Sequence, residues 1–97
     1  MRALLAAAVL FAAAPALAQA PATSATLADA AKAPTGRVIV DGATWRCEGD
    51  ACTATGGSNQ PATRACRRVV AKIGPVTSFS YKGQALSAEE IAACNAG

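Results

Sequence analysis

Four cysteines, Cys47, Cys52, Cys66 and Cys94, stand in a chain of 97 residues, and their use decides what the chain can fold into. A domain this small gains little stability from a hydrophobic core alone, so it depends on cross-links or a metal. Which of these applies turns on the redox compartment. Met1-Arg2, the apolar run Ala3–Ala14, Pro15 and then Ala16-Leu17-Ala18 have the layout of a secretory signal with its small-x-small cleavage site. A membrane-spanning helix needs about 20 apolar residues, and this run is roughly a dozen. No cysteine follows the run to receive a lipid. The expectation is therefore a signal peptide over 1–18, no transmembrane segment after its removal, and a periplasmic or secreted product. In an oxidising compartment an even number of cysteines reads as disulfides. A four-thiolate zinc site fits worse, because one C-x4-C followed by two isolated cysteines lacks the usual paired C-x-x-C spacing.

Residues 19–36 consist mainly of Ala, Pro, Thr and Ser, with Leu27 the sole large apolar side chain. Such a segment buries too little to offset the entropy of ordering and reads as a flexible leader. A short helix around Leu27–Ala31 would be marginal alone. The folded domain is expected over 37–97.

Within it, turn chemistry gives the first register. Asp41-Gly42 separates Val38-Ile39-Val40 from Ala43-Thr44-Trp45, and Gly49-Asp50 separates Cys47-Glu48 from Ala51-Cys52. Two-residue turns of this composition between β-rich runs are strong hairpin signals. They set Val40 against Ala43, Val38 against Trp45, Glu48 against Ala51 and Cys47 against Cys52. Val38, Val40, Ala43, Trp45, Cys47, Cys52 and Ala54 then share one face, while Arg37, Thr44, Arg46, Thr53 and Thr55 take the other with Ile39 as an exception. Cys47 and Cys52 fall at a non-hydrogen-bonded pair, where side chains approach most closely. A Cys47–Cys52 bond follows from that geometry, and Cys66–Cys94 by elimination.

Gly56-Gly57-Ser58-Asn59 leads into a helix that Ser58 or Asn59 can cap, that Pro61 suits in its first turn, and that Gly74-Pro75 ends. Ala62, Ala65, Cys66, Val69, Val70 and Ile73 gather within an arc of about 140° on it. Arg64, Arg67, Arg68 and Lys72 take the opposite side, so reversing those arginines is expected to leave folding intact. Val76–Tyr81 alternates as a fourth strand with Phe79 and Tyr81 inward. Lys82-Gly83 turns the chain, and Gln84-Ala85-Leu86 returns briefly. Ser87-Ala88-Glu89-Glu90 forms a capping box for a short C-terminal helix carrying Cys94, with Leu86 and Ile91 as its hydrophobic staple. The expected fold is α+β: an antiparallel three- to four-stranded sheet, one amphipathic helix packed on it, a short C-terminal helix and two disulfides. Its core is Val38, Val40, Trp45, Val69, Val70, Ile73, Phe79, Leu86 and Ile91.

Trp45-x-Cys47 and Cys52, Pro61-Ala62, Cys66-Arg67, Val69, Gly74, Val76, Ser78-Phe79, Gly83, Leu86 and Cys94-Asn95-Ala96 together resemble a family of small, uncharacterised exported proteins of alphaproteobacteria. The likeness covers Arg37 to the C-terminus. It implies export and a four-cysteine frame, and it carries over no catalytic residue.

The chain contains no histidine, which removes the commonest general base, the imidazole metal ligand and the usual pH switch. Glu89 and Glu90 are adjacent, so on a helix they diverge by about 100° and suit a capping box better than paired catalysis. Gly56-Gly57-Ser58 lacks the Lys-Ser/Thr of a phosphate loop, and Cys47-x4-Cys52 is not the C-x-x-C of a thiol oxidoreductase. Trp45 reads as a core anchor opposite Val38. No enzyme constellation, cofactor motif or metal set emerges, so a non-enzymatic module is expected.

The feature open to a functional reading is the Arg64, Arg67, Arg68 and Lys72 face, which no acidic residue interrupts. Arginines so spaced can present forked donors to phosphates or carboxylates, although a solvated helix face has the same composition. The candidate partner is an anionic envelope component or another envelope protein. An inhibitor or effector acting on another protein is the alternative, and export argues against nucleic acid. N-terminal sequencing of the exported protein should begin at Gln19, or at Pro21 if Ala18-Gln19-Ala20 is the site cut. Intact Met1 in a membrane pellet would contradict the compartment assigned here.

Overall fold

The computed structural model of the protein describes residues 22–97. The signal peptide expected over 1–18 and its cleavage site lie outside the described residues. The elements in chain order are β1 (Thr23–Leu27), a single 3-10 turn (Ala30–Lys32), β2 (Val38–Val40), β3 (Ala43–Glu48), β4 (Ala51–Gly56), α1 (Ala62–Lys72), β5 (Val76–Tyr81), β6 (Gln84–Ala85) and α2 (Ala88–Ala96). The strands form one antiparallel sheet in the order β2-β3-β4-β1-β5-β6. Both helices pack on β5, and α1 also reaches β2. Among the described residues no helix is long and apolar enough to cross a membrane.

Three two-residue turns build the hairpins. Asp41 and Gly42 both take positive φ (49° and 84°), as do Lys82 and Gly83 (52° and 89°), the backbone that matches the twist of the flanking strands. Gly49 alone has positive φ in the Gly49-Asp50 turn. The resulting pairs are Val38 with Trp45, Val40 with Ala43, Cys47 with Cys52 and Glu48 with Ala51, as the turn chemistry predicts. Cys47 and Cys52 are bonded with their Cα atoms 4.0 Å apart, the close spacing of a non-hydrogen-bonded pair.

The sheet has six strands where three to four are expected, and the largest difference is β1. Residues 19–36, read from composition as a flexible leader, contain a strand at the middle of the sheet, and the domain does not begin near Arg37. Thr23, Ala25 and Leu27 are buried while Ser24 and Thr26 are half-buried on the other face. Thr23 through Thr26 pair with Ala54 through Ala51, and the opposite edge of β1 pairs with β5. Two ladders and three inward side chains order a segment whose own hydrophobicity would not. The helical turn that follows is Ala30–Lys32, capped by Asp29, instead of a helix around Leu27.

Between Thr26 and Leu27 the β1–β5 register shifts, because Thr26 opposes Ser78 but Leu27 opposes Val76. This bulge turns both Val76 and Phe79 inward although they are three residues apart. The backbone of Val76 is then held by a side chain from α2. Asn95 Oδ1 accepts from Val76 N at 2.9 Å, and Asn95 Nδ2 donates to Val76 O at 2.7 Å.

The core side of the sheet carries an aromatic row. Trp45 and Phe79 have ring centroids 5.9 Å apart, and Phe79 and Tyr81 6.4 Å apart. Tyr81 Oη donates to Ser58 O at 2.6 Å, so Tyr81 reaches the loop before α1. Gly57 lies beneath it; a Cβ there would stand 2.5 Å from the Tyr81 oxygen. Over this row α1 lays Ala62, Ala65, Cys66 and Val69, with Val70 and Ile73 half-buried. Of the expected core, Val40, Trp45, Val69 and Phe79 are buried, while Val38, Val70, Ile73, Leu86 and Ile91 pack partly covered around them. The N-cap of α1 is Pro61, with no side-chain cap bond, so neither Ser58 nor Asn59 caps this helix. At α2 the capping box forms as expected: Glu90 N donates to Ser87 Oγ and Ser87 N donates to Glu90 Oε1. The fully buried Cys66 bonds to Cys94, fastening α2 to α1. That bond spans 28 residues against 5 for Cys47–Cys52, so it restricts the unfolded chain far more.

Leu27 tests the place of β1. A flexible leader would tolerate Leu27→Ala, whereas loss of this buried side chain should cost about 2–5 kcal/mol and lower Tm by about 10 °C or more. Thermal unfolding followed by circular dichroism distinguishes the two.

Candidate functional site

The four cations expected on one helix face are all exposed on α1, but the structure divides them. Arg64, Arg68 and Lys72 recur every four residues and form a stripe along the side of α1 nearest β2. Arg67 points toward α2, where a Cβ on Gly97 would stand 3.4 Å from Arg67 Cδ. Arg67 thereby places a cation beside the carbonyl end of a helix that has no basic residue in its own last turn.

Arg68 is also committed. Its Nε donates to Asp41 Oδ2 at 3.1 Å and its Nη2 to Asp41 Oδ1 at 3.3 Å, a forked pair linking α1 to the β2–β3 turn. Gln60 Nε2 donates to the same carboxylate at 3.2 Å, and Ser58 N donates to the Asp41 carbonyl at 3.0 Å. Asp41 therefore does two jobs. Its backbone supplies the left-handed turn, and its carboxylate collects the loop before α1 and the helix itself. Reversing Arg68 would set two carboxylates against each other, so the expectation that arginine reversal spares folding does not hold at this position.

The bonds from Arg68 and then Gln60, with the nearby charges of Arg68 and Arg64, hold the Asp41 carboxyl below the ordinary carboxylate range. Arg64 and Lys72 are the stripe members left facing solvent. Beside them Ile39, Val40, Asp41, Arg68, Ala71 and Lys72 line a groove of about 200 Å³ between α1 and β2.

The other residues singled out by sequence have structural positions. All four cysteines are in disulfides, which leaves no thiolate for zinc. Glu90 completes the cap of α2, Trp45 is buried beside Phe79, and Gly57 accommodates Tyr81. Two residues that linear reading missed are Asn95, which clamps Val76, and Asp41 as an acceptor. The Asp-Gly pair signals a turn locally, but nothing near it signals a partner 27 residues away.

The Asp41 pair should show in acid. A carboxyl whose folded pKa lies below its unfolded value contributes stability above the unfolded value and loses it as the pH falls through the folded one. Asp41→Asn keeps the turn preference and removes the charge. The variant should have a lower urea midpoint than the wild type at pH 7, and the gap should narrow as the pH falls below the usual carboxylate range. A gap that persists in acid would assign the loss to the turn instead.

No curated protein and no solved structure matches the chain. A family model does, over residues 5–96, a span that includes β1 as well as the cysteine frame and both helices. It is described as a family of unknown function, DUF8200, and the chain belongs to that family.

Proposed function

We propose that this protein is a non-enzymatic module, exported by the segment 1–18, that engages an anionic component of the cell envelope along α1. The observation that carries the reading is the Arg64–Arg68–Lys72 stripe on a helix anchored by a disulfide and by Asp41. Arg64 lies in the first turn of α1, which has no acidic residue and where a cation opposes the helix dipole. Charge serving solubility alone has more favourable positions. A ligand that supplies negative charge there would relieve this conflict. Two disulfides support an oxidising compartment, since all four cysteines are paired.

Arg64→Glu/Lys72→Glu reverses the two solvent-facing cations and spares the Arg68–Asp41 pair. The wild type should co-sediment with isolated envelope, and with vesicles if the component is lipid. Binding should weaken steeply between about 50 and 300 mM salt, as exposed charges are screened. The double variant should fold normally and lose the association. Equal binding by both proteins, or no wild-type binding at low salt, would refute the reading.

A further inference from the structure

Beside the cationic stripe runs a free sheet edge. The pairs Val40 with Ala43 and Val38 with Trp45 flank the two-residue turn at even spacing and carry the β2–β3 hydrogen bonds. Ile39, between them, therefore directs its backbone N–H and C=O away from β3, and among the described residues β2 is the last strand on that side. The Ile39 side chain is 56 % exposed, the one large hydrophobic residue exposed among the described residues. Val40 and Ala71 add apolar lining to the groove, and its charged lining is Lys72, whose cation is unpaired among the described residues, and the Arg68–Asp41 pair.

We infer that this groove binds an extended polypeptide segment bearing carboxylates, which adds to the sheet as a strand beside β2 and points its acidic side chains at α1. The inference rests on the anion-binding reading above and names the class of partner. A phosphate or sulfate group would satisfy the cations alone. An extended backbone matches both the donor and the acceptor of Ile39, while alternate side chains of an added strand meet Ile39 on one face and Lys72 and Arg64 on the other. A second copy of this chain is a poor occupant. Pairing β2 with β2 would bring two α1 stripes side by side, cation against cation.

The probe is a terminally blocked, fluorescently labelled eight-residue peptide of alternating Val and Glu, titrated into the purified oxidised protein by anisotropy at low salt. Arg64→Glu/Lys72→Glu should weaken binding by at least about tenfold. So should methylation of alternate peptide nitrogens, which keeps every charge and blocks strand pairing; tenfold corresponds to about 1.4 kcal/mol. Ile39→Pro removes the outward N–H while leaving the bonds of Val38 and Val40, and should weaken the peptide equally. The methylated peptide makes the test independent of that variant's folding. Equal binding of plain and methylated peptide would overturn the strand-addition inference and leave anion binding intact. Binding of anionic vesicles without peptide binding would also overturn it, in favour of a lipid surface. Failure of peptide, vesicles and envelope alike would remove both.

Discussion

Strand β1 holds the molecule together. Without it, β2-β3-β4 is a meander and β5-β6 a separate hairpin, each with an unpaired edge. β1 pairs with β4 on one side and β5 on the other, closing them into one sheet on which both helices pack. Thr23 is bound into this join, accepting from Lys82 N at 2.9 Å. At the other end of the strand, Leu27 N donates to Asp50 O at 2.8 Å and Ala28 N to Pro75 O at 2.9 Å. The disulfides fasten elements that β1 does not itself pair: one pins the β3–β4 hairpin and the other joins the two helices.

What could be read from the sequence follows the range of the forces involved. Asp41-Gly42, Gly49-Asp50 and Lys82-Gly83 act through their own backbone, so turn positions and registers come out correctly. The same holds for the Ser87–Glu90 box and the apolar stripe of α1. β1 escapes because Thr23-Ser24-Ala25-Thr26-Leu27 alternates in small side chains, and its burial is imposed by strands far along the chain. Ser58 looks like a helix cap, but its N–H serves the Asp41 carbonyl and its carbonyl receives Tyr81. The cation stripe is legible from helical spacing alone. Its division among Asp41, the end of α2 and solvent is not, because each of those neighbours comes from another element.

That division changes the meaning of the basic face. Four like charges on one side of a short helix suggest a single patch, yet Arg68 supports the fold and Arg67 lies beside the end of α2. The residues with charge to offer a ligand are Arg64 and Lys72, eight residues apart along α1. A ligand spanning both must be extended, with negative groups separated by roughly 12 Å at 1.5 Å rise per residue.

The central place of β1 also governs the order of folding. The Thr23–Lys82 hydrogen bond closes a separation of 59 residues, and the β1–β5 contacts are of similar reach. The Cys47–Cys52 hairpin can close while little else has formed, since its residues are only 5 apart. The sheet, in contrast, waits for β5 before β1 has both of its neighbours, β4 and β5. High contact order of this kind slows folding and postpones it until most of the chain is available. For a protein threaded through a membrane as an unfolded chain, as in the exported role proposed here, that delay is useful. In that role, a slow-folding chain would stay translocation-competent until its late segments had crossed.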